Sequence, residues 1–288
     1  MDAVARVRCA VNWTRIEYVI KRAIVEIEMQ IEPDNSEPLV EDRFRQASRE
    51  GRALFCAWLT INSPSLIDSI GEAGWDSILI DQQHGLGGHD AMVGCLTAAK
   101  AAGMPALVRV ANNDPGLVGR ALDGGAQGVV CPLINSAEDA QRFVRAVKYP
   151  PLGARSWGPY RAQLSRSGNY VSQANGWTIA CPQIETRGAL DELDDILSIE
   201  GVDMVCFGPN DLSAALTGRF DIQAREVKEA MSLVLGKCRE RSVMAFIFAN
   251  DMDYARPLID AGWNMVAIGT DAGWFAAAAA NRLKQLTE

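Results

Sequence analysis

A chain of 288 residues with 48% apolar and 22% charged side chains has the make-up of a soluble globular protein with a sizeable core. Its net charge of −8, with a pI near 5.0, argues against the basic footprint of a nucleic-acid-binding protein. No stretch reaches the ~18 apolar residues of a membrane span, so neither nucleic acid nor membrane is an expected partner.

Residues 1–40 differ in pattern from the rest of the chain. Trp13, Ile16, Ile20, Ala23, Ile24, Ile27 and Ile31 recur at helical spacing with charges between them. Pro33-Asp34-Asn35-Ser36-Glu37-Pro38 then breaks the pattern. This stretch reads as an N-terminal helical extension and linker, joined to a domain over residues 41–288. Arg15, Glu17, Lys21 and Arg22 interrupt any signal-peptide run, so a cytoplasmic protein is expected.

From Phe55 the chain alternates between short apolar runs and longer helical patterns. Strands are expected over 53–61, 77–83, 106–110, 128–134, 178–185, 203–209, 243–249 and 265–270. Helices are expected over 64–73, 89–102, 115–122, 136–147, 187–198, 226–240, 252–261 and 273–286. Asp114-Pro115 starts one helix, and Gly74, Gly103 and Gly262 stop others. Eight βα units are the count of an α/β (β/α)8 TIM barrel. The rival, an open doubly wound sheet for a dinucleotide, lacks a GxGxxG after the first strand. The longest strandless segment, Tyr149 to Trp177, is expected as a surface loop at the N-terminal rim.

Seven cysteines is an odd number, with no CxxC pair, and Cys56, Cys131, Cys181 and Cys206 fall inside apolar runs. Such thiols behave as small hydrophobes and fit a reducing compartment better than a disulfide framework.

In a barrel, reactive groups sit at the C-terminal ends of the strands. There the sequence has Trp58, Asp81 with His84, Arg109, Gln183 with Glu185, then Gly208-Pro209-Asn210-Asp211, and finally Thr270-Asp271. His84 is one of two histidines, and Asp81, three positions earlier, is expected to orient its ring as a general acid/base pair. Glu185 and Asp211 end neighbouring strands, ~4.8 Å apart, and would repel unless something positive lies between them. With oxygen ligands alone, Mg²⁺ or Mn²⁺ fits, leaving open positions for a chelating 2-oxo acid. In the alternative, Glu185 pairs with Arg187 or Arg109, and Asp211 caps a helix. Asp211-Leu212-Ser213 also reads as a helix start whose amides attract a carboxylate. Arg109 is placed to stabilise an enolate oxygen. Trp58 serves either as core packing or as a pocket wall. Lys21, Lys100, Lys148, Lys228, Lys237 and Lys284 all fall in or beside expected helices, which argues against a Schiff-base aldolase.

Ala57-Trp58-Leu59, Asp81-Gln82-Gln83-His84-Gly85, Val108-Arg109-Val110, Pro182-Gln183-Ile184-Glu185-Thr186 and Gly208-Pro209-Asn210-Asp211-Leu212-Ser213 occur in order at strand ends. In these motifs the chain resembles the HpcH/HpaI aldolase family over roughly residues 41–288. These are metal-dependent class II pyruvate aldolases of the 4-hydroxy-2-oxoheptanedioate and 2-keto-3-deoxy sugar acid type. The resemblance implies a barrel of the phosphoenolpyruvate/pyruvate-binding type. It implies a carbon–carbon lyase that reversibly cleaves a 4-hydroxy-2-oxo acid to pyruvate and an aldehyde, with oxaloacetate decarboxylation as a side reaction.

By the same resemblance, Glu185 and Asp211 bind a divalent cation (Mg²⁺, Mn²⁺ or Co²⁺) and Arg109 stabilises the pyruvate enolate. His84, oriented by Asp81, moves the proton of the aldol hydroxyl through a water. Gln183 lies near the keto acid, the helix start at Asn210, Asp211 and Leu212 takes its carboxylate, and Trp58 stands at the pocket mouth. A homo-oligomer is implied, commonly a hexamer with exchanged helices. One departure is visible: many members read Asp-x-Glu-His, and this chain has Gln83 in the glutamate's place. Two other readings stay open, a citrate-lyase-like lyase acting on a coenzyme A ester and a catalytically silent barrel used for binding.

Overall fold

The computed structural model describes residues 42–164 and 170–287. The helix expected over Trp13 to Ile31 lies outside them.

Eight strands, β1 (Leu54–Leu59), β2 (Ser77–Asp81), β3 (Ala106–Arg109), β4 (Gly128–Ile134), β5 (Ile179–Ile184), β6 (Met204–Phe207), β7 (Met244–Ala249) and β8 (Met265–Thr270), pair in sequence order. Every pairing is parallel, and β8 returns to β1 to close the barrel. The fold is the (β/α)8 barrel that the alternation of apolar runs and helical patterns predicts.

Parallel strands need crossovers, and these are supplied by α2 (Ile67–Glu72), α3 (His89–Ala101), α4 (Pro115–Asp123) and α5 (Ala137–Val147) in the first half. In the second half they are α8 (Arg187–Asp191) with α9 (Leu193–Leu197), α10 (Pro209–Thr217) with α11 (Arg225–Arg241), and α12 (Met252–Asp260). The chain ends on α13 (Asp271–Thr287). Asp114 accepts from the Gly116 and Leu117 amides at 2.8 and 3.0 Å, capping α4 ahead of Pro115. Gly103 and Gly262 follow α3 and α12 at φ of +65° and +84°, a region glycine enters without steric cost. Among the described residues no helix is long and apolar enough to cross a membrane.

Side chains alternate along each strand and so build two cores. Leu54, Cys56, Cys181, Met204, Met244 and Phe246 belong to the inner cluster, while Leu59, Ile78, Ile80 and Val108 pack outward against the helices. Phe44 of α1 (Arg43–Arg49) joins the inner cluster and plugs one end of the barrel. Beside it the Lys148 ammonium, 1% exposed, donates to Asp203 at 2.7 Å and to the Thr178 and Asn175 carbonyls at 2.6 and 2.9 Å. Arg45 pairs with both Asp42 and Asp203. Asp203 precedes β6 and Thr178 precedes β5, so this network stabilises the N-terminal end and leaves the opposite end for chemistry.

Two expectations change. The helix expected over 187–198 is two short helices that meet at Glu192. The segment expected as a loop from Tyr149 to Trp177 carries α6 (Tyr160–Leu164) and α7 (Tyr170–Trp177). A separate small core of Tyr149, Ala162, Tyr170 and Ala174 holds it. The Arg155 guanidinium lies 4.6 Å from the Tyr149 ring centroid and pairs with Asp123 at 2.7 Å. Pro- and Gly-rich composition hid an anchored unit.

Candidate active site

The strands' C-terminal ends surround a cavity of about 250 Å³ lined by Trp58, Asp81, His84, Arg109, Gln183, Asn210 and Asp211, with Thr60, Phe248 and Thr270 among the other wall residues. Seven of the nine residues singled out in the sequence thus meet at one place.

Asp81 and Arg109 are direct register partners on β2 and β3. Their side chains form a buried, two-pronged ion pair: Arg109 Nε donates to Oδ1 at 3.0 Å and Nη2 to Oδ2 at 2.6 Å. The Trp58 indole N–H donates to Oδ2 at 3.2 Å, and the Arg109 guanidinium lies 4.6 Å from the Trp58 ring centroid. Burial alone would push the Asp81 carboxyl up, but the hydrogen bonds and charge of Arg109 outweigh it and hold the group below its ordinary value. The expectation that Asp81 orients the His84 ring does not hold. Its Oδ1 takes the main-chain amides of Gln83 and His84 at 2.9 and 3.2 Å, while the exposed His84 side chain lines the cavity rim. A side chain at the end of β2 reaches its neighbour on β3 more directly than a ring three residues further along a turn.

Glu185 follows β5 and is 2% exposed. Its Oε1 accepts from the Leu133 amide at 2.8 Å and its Oε2 from Gln183 Nε2 at 2.5 Å. Burial pushes Glu185 up to about 7; the Leu133 amide, the Arg109 charge and Gln183 oppose the rise, and repulsion from Asp211 adds to it. Gly208 is required here by close approach, since a Cβ on it would sit 2.5 Å from Glu185 Oε2.

The Gly208 amide donates to the Ile184 carbonyl, and the Leu212 amide to the Gly208 carbonyl, each at 3.1 Å. Pro209 has no N–H, which leaves the amides of Asn210 and Asp211 as the donors of α10 with no partner among the described residues, and both residues line the cavity. Leu212 does not belong with them. Its amide is consumed in the helix and its side chain, fully buried, packs in the outer core.

A divalent cation fits this donor set. Two carboxylates lie close enough for one to raise the other's pKa, and among the described residues no basic side chain forms an ion pair with Glu185. Arg109 is committed to Asp81, and among the described residues Arg187 reaches the Leu216 carbonyl, at 3.4 Å. Among the described residues no cluster of three or more His, Cys, Asp or Glu side chains suits a metal. Two carboxylates make an open site for a hard ion that keeps water or substrate oxygens.

Residues 54–278 match the family model described as HpcH/HpaI aldolase/citrate lyase. The chain belongs to that family. It is therefore an enzyme of carbon–carbon lyase type. A hydroxypyruvate/pyruvate aldolase from Pseudomonas aeruginosa is 35% identical over 80% of this chain and 87% of its own. A 4-hydroxy-2-oxo-heptane-1,7-dioate aldolase from Escherichia coli is 33% identical over 83% of this chain and 93% of its own. Among solved structures, an HpcH/HpaI aldolase/citrate lyase family protein from Burkholderia cenocepacia aligns with a TM-score of 0.80 and 30% identity, over 86% of this chain and all of that one.

Three residues that build this site have structural tasks that the sequence does not announce. Leu133, at φ +54° where the β4–β5 register shifts, aims its amide at Glu185. Asn62, at φ +56°, donates from its amide to the Asp81 carbonyl at 2.8 Å. Asp271 accepts from the Thr60 amide and hydroxyl at 2.7 and 2.8 Å, tying the loop after β1 to β8. Its strand-end position was legible, and its structural task was not. Trp58, 4% exposed, is a wall of the pocket rather than its mouth. Gln83 keeps an Oε1 that is buried and has no hydrogen-bond partner among the described residues.

Proposed function

We propose that the enzyme is a divalent-metal-dependent aldolase that reversibly cleaves a 4-hydroxy-2-oxo acid into pyruvate and an aldehyde. The observation that carries this reading is the convergence of Arg109, Asp211 and the Asn210 and Asp211 amides on one cavity, with Glu185 beside it. Glu185 and Asp211 would hold the cation, Mg²⁺, Mn²⁺ or Co²⁺, which supplies Lewis-acid polarisation of the 2-oxo group. The α10 amides receive the substrate carboxylate. His84, exposed at the rim, takes the proton from the C4 hydroxyl; the C3–C4 bond breaks, the aldehyde leaves, and the electron pair moves onto the C2 oxygen. Arg109 stabilises the resulting enolate. The proton that His84 took is given up to solvent and one is returned from solvent to C3, which completes pyruvate.

The aldolase names of the relatives support this chemistry, and a cavity of about 250 Å³ is small for a coenzyme A ester. By resemblance, the working form is taken as a homo-oligomer. Phe275, Leu283 and Leu286 on α13 are exposed, which supports packing against another copy. The test is pyruvate release from a panel of 4-hydroxy-2-oxo acids, with chelator and with each cation in turn. Release that depends on an added cation is expected, and full activity in chelator would sink the metal-dependent reading.

A further inference from the structure

The carboxylate of Asp81 has more claims on it than an acid/base partner can bear. An ionised carboxylate offers about four lone-pair positions. Asp81 accepts from Gln83 N, His84 N and Arg109 Nε through Oδ1, and from Trp58 Nε1 and Arg109 Nη2 through Oδ2. Both oxygens are saturated, and the residue is 1% exposed. Among the described residues no carboxylate forms an ion pair with the His84 ring.

We propose that Asp81 is a positioning residue for Arg109: with Trp58 it clamps the guanidinium so that Nη1 faces the cavity as the donor to the enolate oxygen. The assignment rests on the aldolase reading and goes beyond it by moving Asp81 from the proton step to the charge-stabilising step. Each part of the clamp restrains another. The paired contacts to Oδ1 and Oδ2 fix the plane of the guanidinium, which neither a lysine nor a single hydrogen bond would do. The Trp58 ring supports that plane at 4.6 Å while its N–H holds the same carboxylate. Nε and Nη2 are thereby used, and among the described residues Nη1 has no hydrogen-bond partner.

The two expected reactions separate this role from orientation of His84. In aldol cleavage His84 removes the C4 hydroxyl proton as the C3–C4 bond breaks. In oxaloacetate decarboxylation the bond to the departing CO₂ breaks with no such proton to remove. Both leave the electron pair on the same C2 oxygen, opposite Arg109. Loss of Arg109 alignment therefore slows both, whereas loss of His84 function slows the first alone.

The experiment measures kcat and kcat/KM for both reactions, across pH, in the metal-loaded parent and in Asp81→Asn, Trp58→Phe and His84→Ala. Asp81→Asn is expected to lower both kcat values by a similar factor, about 100-fold, and to leave the pH midpoint of cleavage unmoved. Trp58→Phe keeps an aromatic face and removes the N–H, so both reactions fall together by about threefold to tenfold. His84→Ala loses cleavage and retains decarboxylation. If Asp81→Asn loses cleavage selectively, or moves the pH midpoint, Asp81 serves the ring and the proposal is wrong. If Asp81→Asn does not fold, Trp58→Phe decides alone: a parallel fall supports the clamp, and no fall or a selective one overturns it. A parent inactive in both reactions with every cation would overturn the aldolase reading, and this inference with it.

Discussion

Replacing Glu185 by Gln removes one ionisable proton from the buried end of β5 while keeping the shape of the side chain. Burial, with Asp211 adding repulsion, lifts the carboxyl from its ordinary 4.5 to about 7. In the metal-free protein the fold binds this proton more tightly than the unfolded chain does. The associated stability is complete below about pH 4.5 and is lost as pH rises through about 7. At 1.36 kcal/mol per pH unit the gap corresponds to about 3 kcal/mol at most, or roughly 6–12 °C in melting temperature for a domain of this size. Gln cannot titrate. In chelator, melting curves of parent and Glu185→Gln are expected to stand at a fixed offset near pH 4.5, with the parent losing ground by that amount towards pH 8. Added Mn²⁺ should restore the parent at pH 8 and leave the variant unmoved. Below pH 7 the metal competes with a proton, so its affinity for the parent should weaken by about tenfold per pH unit. A parent-minus-variant difference that stays constant from pH 5 to pH 8 would refute the buried-carboxylate argument. So would equal stabilisation of both proteins by Mn²⁺.

Three further changes test other parts of the architecture. Gly208→Ala puts a methyl group 2.5 Å from Glu185 Oε2, and metal affinity measured by calorimetry should fall by at least about tenfold while the fold is kept. Asp203→Ala strips the buried Lys148 and Arg45 of their shared carboxylate; urea unfolding should show a loss of about 3–5 kcal/mol, with kcat unchanged because the network lies at the far end of the barrel. An unchanged unfolding midpoint would mean that water enters and solvates Lys148. Gln83→Glu places a carboxylate oxygen where Oε1 is buried without a donor. Stability should drop by about 1–3 kcal/mol at pH 8 and recover towards pH 4, as read from melting temperatures. A variant with the parent's melting temperature throughout would show that a donor reaches the site.

Local signals are short in range, and they account well for the order and type of the elements. Apolar runs of strand length, Asp114-Pro115 at one helix start and glycines at the helix ends are each decided by a few neighbouring residues. Those signals were enough for eight strands, a closed barrel and the strand ends where Trp58, Asp81, Arg109, Gln183, Glu185 and Asp211 stand. The α6 and α7 helices between Tyr149 and Trp177 were not legible. Each is short, and they share a small core with Tyr149 that a linear pattern does not display.

Which side chain answers which is set by contacts between distant parts of the chain. Sequence spacing put Asp81 beside His84, three residues on, but β2 and β3 in parallel register put it opposite Arg109, twenty-eight residues on. A short contact across a sheet prevails because it satisfies a buried charge with a buried charge. In the same way Leu212, adjacent in sequence to Asp211, turns into the core because consecutive helix positions point about 100° apart. The amide of Leu133 reaches Glu185 only through a left-handed backbone at an irregularity in β4, which no residue type announces. The barrel and the inventory of reactive groups at its mouth follow from local patterns along the chain. Register, burial and backbone irregularity decided how those groups are paired.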